Sequence, residues 1–414
     1  MNYSEIQFTQ INNQFKSNLE ADYACFAIWK IARPYLDKIR ELLNNEYEVL
    51  GEVEVHWSEK YFKENAARLY ELPLFIQESK NTFSHAGKIG GTSFILFIVK
   101  DRLPNYSYAV SSSKIVELTN LNIAKVKKEI RGWIEKDTKA SYGIHSTNNI
   151  YEFYYQIALL LGVKELKNIL NGEKLSLSKI EKDLEGAGGW SNYESLFEVL
   201  NYSSNYLVQR GFETLPKENP EKDIDFLTDD FQRLATVLNI RQDFYSPYKG
   251  KVKVNKELIN IDLRFIGDNY YNTSWSKAMM NRKIQYKGIY IPREDDYFFS
   301  LLFHAKVQKP NVKPKYYSIL ATLAEEMQFE WYSSNIIDDN IQIGEVLGGY
   351  YRANGYYYEN PLDEGVFKNI KVIHFLPKQS SLIYKRTLKN RLNTSLEKLL
   401  PKDLAGYLKK IKNG

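Results

Sequence analysis

Cysteine is almost absent from this sequence, since Cys25 is the only one among 414 residues. A single cysteine excludes an internal disulfide framework and a zinc site built from cysteines, and such sparing use is typical of a reducing compartment. No apolar run reaches the roughly 18 residues that a membrane-spanning helix needs. The first ten residues, MNYSEIQFTQ, lack the pattern of a secretory signal peptide. These absences favour a cytoplasmic protein with no transmembrane segment.

The sequence also has no large excess of charge of one sign. Its net charge is +5, and charged residues make up 26% of the chain, which describes a mildly basic protein rather than a polycation. This balance suits a phosphate-bearing ligand and gives no strong nucleic-acid signal. The length predicts two or three domains, and 32 tyrosines add to the apolar material available for separate cores.

Apolar patterns in the first half predict alternating strands and helices. Residues 23–29 and 92–99 have the composition of buried strands, and residues 49–57 alternate as a half-buried strand. Helices are expected after Pro34 and after Ser58. This order of elements is the one that a ferredoxin-like α/β sandwich produces, so we expect that fold class here.

The stretch from Ile130 to Leu161 contains a candidate nucleophile, His145. We expect a short extended segment from Arg131 to this histidine, then N-cap residue types at 146–148 and an apolar helix. Free N–H groups and the helix dipole favour an anion at such a helix start, so a phosphate could lie beside an imidazole that attacks it. A surface or capping role for His145 is the alternative.

Short motifs in the first half occur in the order found in one enzyme family. They are Lys30 in AIWKI, VHWSE at 55–59, Tyr70 at the end of a predicted helix, LTNL at 118–121, IRG at 130–132 and YGIHSTN at 142–148. On these motifs, residues 22 to about 163 resemble a divergent nucleoside diphosphate kinase. The chain has Ile31, Gly90-Gly91-Thr92, Tyr142, Ser146 and Asn148 where the family has Pro, Ser-Gly-Pro, Asn, Gly and Asp.

The resemblance implies particular roles for five residues. His145 would accept the phosphate as nucleophile, while Lys30, Tyr70, Thr119 and Arg131 would contact the nucleotide phosphates. A phosphohistidine intermediate requires cations beside the nucleophile, because they offset charge on the transferring phosphoryl group.

Glycine and serine then mark an expected domain boundary. Residues 166–192 have the composition of a connector that includes the glycine-rich run 186–189. We therefore expect a first domain at 1–165, a second core at 193–268, and a helix-rich C-terminal part with a basic tail at 269–414.

Three aspartates form the candidate centre of the second core. Alternation places Asp223 and Asp225 on the same side of a strand, and Asp262 lies on a later alternating strand, 257–265. Carboxylates this close repel each other unless a cation lies between them. Mg²⁺, or Mn²⁺ in its place, binds through one or two carboxylates together with substrate phosphates, so the pattern predicts a divalent-metal site.

A glycine at the end of a strand, Gly211, precedes these aspartates. This order resembles the minimal fold of the nucleotidyltransferase superfamily over residues 200 to about 268, although Phe212 stands where the family usually has Ser or Gly. The resemblance implies that Gly211 contacts the nucleotide and that the three aspartates are catalytic metal ligands. A solvated Asp-x-Asp turn is the alternative.

Together, the two halves predict a transferase that uses nucleoside triphosphates. One half would be a phosphohistidine phosphotransferase, and the other a metal-dependent nucleotidyltransferase acting on a small-molecule acceptor such as a sugar or polyol, or on a glycan. Two alternatives stay open: a regulatory protein that binds nucleotide without chemistry, and a nucleotidyltransferase that modifies a protein or RNA. The patterns carry no indication of an oligomeric state.

Overall fold

The computed structural model describes residues 21–71, 90–110, 116–139, 142–243 and 246–378. These residues form a mixture of helices and mixed sheets, which confirms the expected α+β class. Within these ranges, no helix combines the length and the apolar character needed to cross a membrane. The basic tail expected after Lys378 lies outside the described residues.

The described residues form fourteen strands and twelve α-helices. The strands are β1 Asp22–Trp29, β2 Glu48–His56, β3 Ser93–Asp101, β4 Tyr106–Val110, β5 Val116–Asn120, β6 Ile144–Ser146, β7 Lys179–Glu181, β8 Tyr206–Val208, β9 Asp223–Thr228, β10 Arg241–Asp243, β11 Ser246–Val254, β12 Glu257–Phe265, β13 Ile284–Tyr286 and β14 Ile289–Ile291. The helices are α1 Leu36–Glu46, α2 Phe62–Leu69, α3 Leu121–Thr138, α4 Ile150–Leu160, α5 Val163–Leu170, α6 Tyr193–Ser203, α7 Phe231–Leu238, α8 Thr273–Arg282, α9 Glu294–Val307, α10 Pro314–Glu326, α11 Asn340–Ala353 and α12 Ile370–Ile373. Short 3-10 helices occupy Lys30–Tyr35 and Ser334–Asp338.

The first sheet has the strand order β6-β1-β3-β2-β7. Its neighbouring strands are antiparallel, except for the parallel pair β2 and β7. Strands β1 and β3 are buried along almost their whole length, because they are central and covered on both faces. On one face, Phe26 and Phe97 pack against the apolar sides of α1 and α3, which contribute Ile39 and Ile130.

The second sheet has the strand order β10-β11-β12-β9-β8, in which only β9 and β12 are parallel. Along β9, the exposed Asp223 and half-buried Asp225 alternate with the buried Ile224 and Phe226. The alternation predicted from the sequence therefore describes this strand, with one face turned to the core and the other carrying carboxylates.

The chain divides by its internal contacts into two compact units. One unit contains the described residues up to Ile266 together with Ser276–Tyr297, and it holds both five-stranded sheets. The other contains Gly267–Trp275 and the described residues from Phe298 onward, and its helices enclose an aromatic cluster around the buried ring of Trp275. The two sheets that we expected in separate domains therefore belong to one unit.

The segment 166–192, expected to be a connector, is part of the packed structure. Its strand β7 extends the first sheet by pairing with β2. A Cβ atom at Gly186 would lie only 2.5 Å from Trp190 Cε2, so glycine here permits close packing. Glycine content alone suggested a connector, whereas Gly186, Gly188 and Gly189 lie where side chains approach the backbone.

Two arginines connect helix α2 and the chain just after its end with helix α7. Arg68 of α2 is fully buried, and it donates from Nε to the carbonyl of Thr236 at 3.0 Å and from Nη2 to that of Val237 at 2.9 Å. These carbonyls belong to the last turn of α7, where carbonyls lack the usual donor four residues on, and that of Thr236 also accepts from the N–H of Asn239 at 3.2 Å. In the other direction, Arg233 of α7 forms an ion pair with Glu71, Nε to Oε1, at 2.7 Å. The helices of the two halves are thereby tied together.

We expect Arg68→Leu to lower the free energy of unfolding by about 2–4 kcal/mol, because it removes the guanidinium donors of two buried carbonyls, of which that of Thr236 keeps the N–H of Asn239. Urea unfolding followed by circular dichroism measures the change. Lys63→Ala, at an exposed position of the same helix, is the matched control and should shift stability by no more than about 0.5 kcal/mol. An unfolding midpoint of Arg68→Leu equal to that of the wild type would contradict this role.

Candidate functional site

The three candidate aspartates lie on one face of the second sheet. Asp225 and Asp262 are direct register partners in the parallel pair of β9 and β12. Asp223 is paired in the same way with Asn260. Because paired residues on neighbouring strands project to the same face, all three carboxylates share that face. Strands lie about 5 Å apart, so Asp225 and Asp262 are neighbours although 36 residues separate them in the sequence.

Two arginines that the sequence analysis did not identify neutralise this pair. Arg210 Nη2 lies 2.9 Å from Asp225 Oδ1. Arg264 Nε lies 2.7 Å from Asp262 Oδ1, and its Nη2 donates to Oδ2 at 3.1 Å. Arg264 could have been found from its spacing, since a residue two positions after Asp262 projects to the same face. Arg210 immediately precedes Gly211, whose φ of +68° is a conformation that favours glycine.

A divalent cation fits the Asp225 and Asp262 pair better than all three carboxylates at once. In the part of the chain that the structure describes, no group of three or more His, Cys, Asp or Glu is arranged to hold a metal ion. Asp223 lies two residues along the strand, about 7 Å away. Two adjacent carboxylates offer the oxygen ligands that Mg²⁺ takes when substrate phosphates complete its coordination.

His145 lies on the edge strand β6, where it pairs with Ala27 of β1. Its side chain is buried, with Nε2 3.1 Å from Gln156 Oε1 and the ring against that of Tyr70 at 4.6 Å between centroids. The Gln156 amide nitrogen donates to the carbonyl of Leu69 at 3.2 Å, which turns Oε1 toward the histidine. The hydrogen bonds thus assign the ring proton to Nε2 and leave Nδ1 as the nitrogen with the free lone pair.

Charge and burial keep this histidine neutral. Burial, together with the positive charges of Lys127 and Arg131, lowers the pKa of His145 to about 3. Lys127 also donates to the carbonyl of Ser146 at 3.1 Å. Neither Lys127 nor Gln156 was identified from the sequence, although Lys127 precedes Arg131 by one helical turn. A neutral imidazole between cations is the form that can act as a nucleophile.

Two expectations about the surroundings of His145 are wrong. Arg131 does not begin an extended segment, because it lies inside helix α3. The N-cap of α4 is Asn149 rather than a residue at 146–148, and it accepts from the backbone N–H of Tyr151 and of Glu152, each at 3.0 Å. The helix start therefore already has side-chain partners for two of its free N–H groups.

The remaining predicted phosphate contacts are dispersed. Lys30 is exposed at the start of the first 3-10 helix. The Tyr70 hydroxyl accepts from the indole N–H of Trp29 at 2.8 Å. Thr119 is buried on β5, where its hydroxyl donates to the carbonyl of Glu117 at 3.2 Å. Of the four phosphate contacts implied by the resemblance, the structure brings Tyr70 and Arg131 close to His145.

Comparisons of this chain with protein-family models, with curated proteins and with solved structures found no match. The candidate functional residues are therefore those of the chain's own aspartate pair and those around His145.

We expect His145 to stay neutral, with its proton on Nε2, from about pH 8 down to about pH 5. Its folded pKa lies below the ordinary value of 6.5, so the unfolded chain binds a proton that the folded chain does not accept. The contribution of His145 to the unfolding free energy therefore declines as pH falls below about 6.5. Ring-nitrogen NMR shifts, compared with those of Gln156→Leu, measure charge and tautomer. A ring that becomes charged near pH 6 would contradict this assignment.

Proposed function

We propose that this protein is a nucleotide-dependent transferase that carries out nucleotidyl transfer at the Asp225 and Asp262 pair. The observation that carries the proposal is the register of β9 and β12, which sets these carboxylates side by side on a half-exposed sheet face. Like charges directly opposite each other destabilise a sheet unless cations offset them, and Arg210 and Arg264 supply that charge in the protein alone.

Asp225 and Asp262 would hold a magnesium or manganese ion, with Asp223 nearby on the same face. When bound, the ion offsets charge on the triphosphate and on the leaving pyrophosphate. Arg210 and Arg264 neutralise the carboxylates in the protein alone, and their guanidinium groups have the geometry to pair with phosphate oxygens once nucleotide binds. In the reaction, an acceptor oxygen bonds to the α-phosphorus, the bond from the α-phosphorus to the bridging oxygen breaks, and pyrophosphate leaves with that electron pair. A hydroxyl acceptor would also release its proton to the solvent.

The topology supports the resemblances on which this proposal also draws. In the first sheet, the antiparallel order β6-β1-β3-β2, with α1 and α3 on one face, is the order of a ferredoxin-like split βαβ arrangement. In the second sheet, β8 is antiparallel to β9, and β9 is parallel to the strand that carries Asp262. These arrangements favour a kinase-like domain joined to a nucleotidyltransferase-like core.

The acceptor that we propose is a small molecule or glycan, and the place of action is the cytoplasm. A purely regulatory role would also use bound nucleotide but would release no pyrophosphate. Modification of a protein or RNA would release pyrophosphate only with a macromolecular acceptor. The acceptor requirement for pyrophosphate release therefore separates these alternatives.

A second activity, phosphoryl transfer through His145, is favoured by one observation. Nδ1 has a free lone pair, and the ring is neutral beside Lys127 and Arg131. These cations could offset the charge of an incoming phosphoryl group. The bond formed would join Nδ1 to the γ-phosphorus as a nucleoside diphosphate leaves.

Asp225→Asn and Asp262→Asn should each lower magnesium-dependent triphosphate binding at least about tenfold, because each removes one carboxylate ligand of the pair. The double variant should be little worse than either single variant, since the two carboxylates act as a unit. Calorimetry with a non-hydrolysable triphosphate measures binding. Glu218→Gln, an exposed change in the preceding loop, is the control. Unchanged magnesium-dependent binding in both aspartate variants would refute the site.

Incubation with a γ-labelled nucleoside triphosphate should produce an acid-labile phosphate on His145, because neutral Nδ1 is the available nucleophile. Mass spectrometry at alkaline pH should locate it, and His145→Gln should abolish it. His56→Gln, at a more exposed position of β2, should leave the modification intact. If His145 stays unmodified with every common triphosphate, this half of the chain is not a phosphohistidine enzyme.

A further inference from the structure

Strand β11 carries three lysines on the face of the aspartates. Lys249, Lys251 and Lys253 are exposed and alternate with the buried residues Gly250, Val252 and Val254. Because β11 pairs with β12, and directly opposed residues share a face, the lysines project to the same side as Asp262. No sequence motif pointed to these lysines.

The register brings the first two lysines beside the carboxylates. One row across the sheet is Lys249, Asp262 and Asp225. The next row is Lys251, Asn260 and Asp223. Successive lysines lie about 7 Å apart along the strand, so the three cover about 13 Å.

Their charge is not offset by the carboxylates around them. Over the residues that the structure describes, none of the three lysines forms an ion pair with an acidic side chain, whereas Asp262 is bound by Arg264 and Glu257 by Lys222. Arg241 of β10, the register partner of Lys251, is exposed and adds another positive charge. This edge of the face therefore attracts an anion.

The carboxylate pair thus has cations on both sides. Arg210 follows β8 on one side of Asp225, and Lys249 of β11 lies on the other side of Asp262. Gly211, which by the resemblance to nucleotidyltransferases would contact the nucleotide, directly follows Arg210 and lies on that side. A triphosphate on that side leaves the lysine side for a second anionic substrate.

We propose that the acceptor is a phosphate monoester, whose phosphate binds at Lys249 and Lys251. This inference rests on the proposed nucleotidyl transfer. An oxygen of the acceptor phosphate forms a bond to the α-phosphorus, the bond from the α-phosphorus to the bridging oxygen breaks, and pyrophosphate leaves with that electron pair. The second pKa of a phosphate monoester is about 6, so at neutral pH its oxygen attacks without a proton being removed. The product is a nucleotide joined to the acceptor through a diphosphate.

The test measures phosphate binding to the whole protein in the presence of magnesium and a non-hydrolysable triphosphate. Inorganic phosphate and glycerol 3-phosphate are the probes, and glycerol is the uncharged counterpart. We expect saturable binding of both phosphates below about 10 mM and none of glycerol. Lys249→Gln combined with Lys251→Gln should weaken phosphate binding at least about tenfold while triphosphate binding stays within about twofold. Lys256→Gln, in the turn after β11, should change neither.

Each contrary outcome overturns the inference in a different way. Loss of triphosphate binding in the lysine variant would show that these lysines bind the nucleotide and not the acceptor. A single-stranded oligonucleotide that binds at the lysines more tightly than the monoesters would indicate a nucleic-acid acceptor. Phosphate binding that is absent, or that survives the double substitution, would show that the lysines bind no acceptor phosphate. Failure of the proposed function is separate, because it appears as triphosphate binding that Asp225→Asn does not weaken.

Discussion

The buried guanidinium of Arg68 sets the constraint on which the arrangement of the two sheets depends. A charge withdrawn from water must meet polar partners, and Arg68 meets the carbonyls of Thr236 and Val237 at the end of α7. The ion pair of Arg233 with Glu71 adds a second fixed point between the same two helices. Helix α7 directly follows β9, the strand of Asp223 and Asp225. The position of the carboxylate face is therefore tied to the layer that also buries His145, and the two candidate centres share one folded unit.

The sequence predicted local structure well where burial alternates or is continuous. Strands β1, β3, β9 and β12 follow from apolar patterning, and the shared face of Asp223 and Asp225 follows from the twofold period of a strand. Register between strands depends on tertiary contacts, so the juxtaposition of Asp225 with Asp262 needed the structure. The ion pair with Arg210, the role of Gln156 and the packing of Gly186 are likewise set by residues distant in sequence. The short motif around Arg131 did not reveal that α3 continues to Thr138, so the prediction of an extended segment before His145 was wrong.

The two candidate centres balance charge in opposite ways. Around His145, burial and two nearby cations favour the uncharged ring, which preserves a nucleophilic nitrogen. On the second sheet, the carboxylates are paired with Arg210 and Arg264, and the lysines of β11 extend the positive surface beyond them. Both arrangements suit phosphate chemistry. An anionic substrate can take the place of an internal partner, so that no buried charge is left unpaired.

A crystal structure of the protein with Mn²⁺ and a non-hydrolysable nucleoside triphosphate would test directly whether Asp225 and Asp262 form a metal site. Anomalous scattering would locate the metal independently of the nucleotide density. We expect a manganese ion within about 2.2 Å of oxygens from both Asp225 and Asp262, with triphosphate oxygens completing its coordination. A triphosphate bound elsewhere, with the two carboxylates still paired to Arg210 and Arg264, would contradict it.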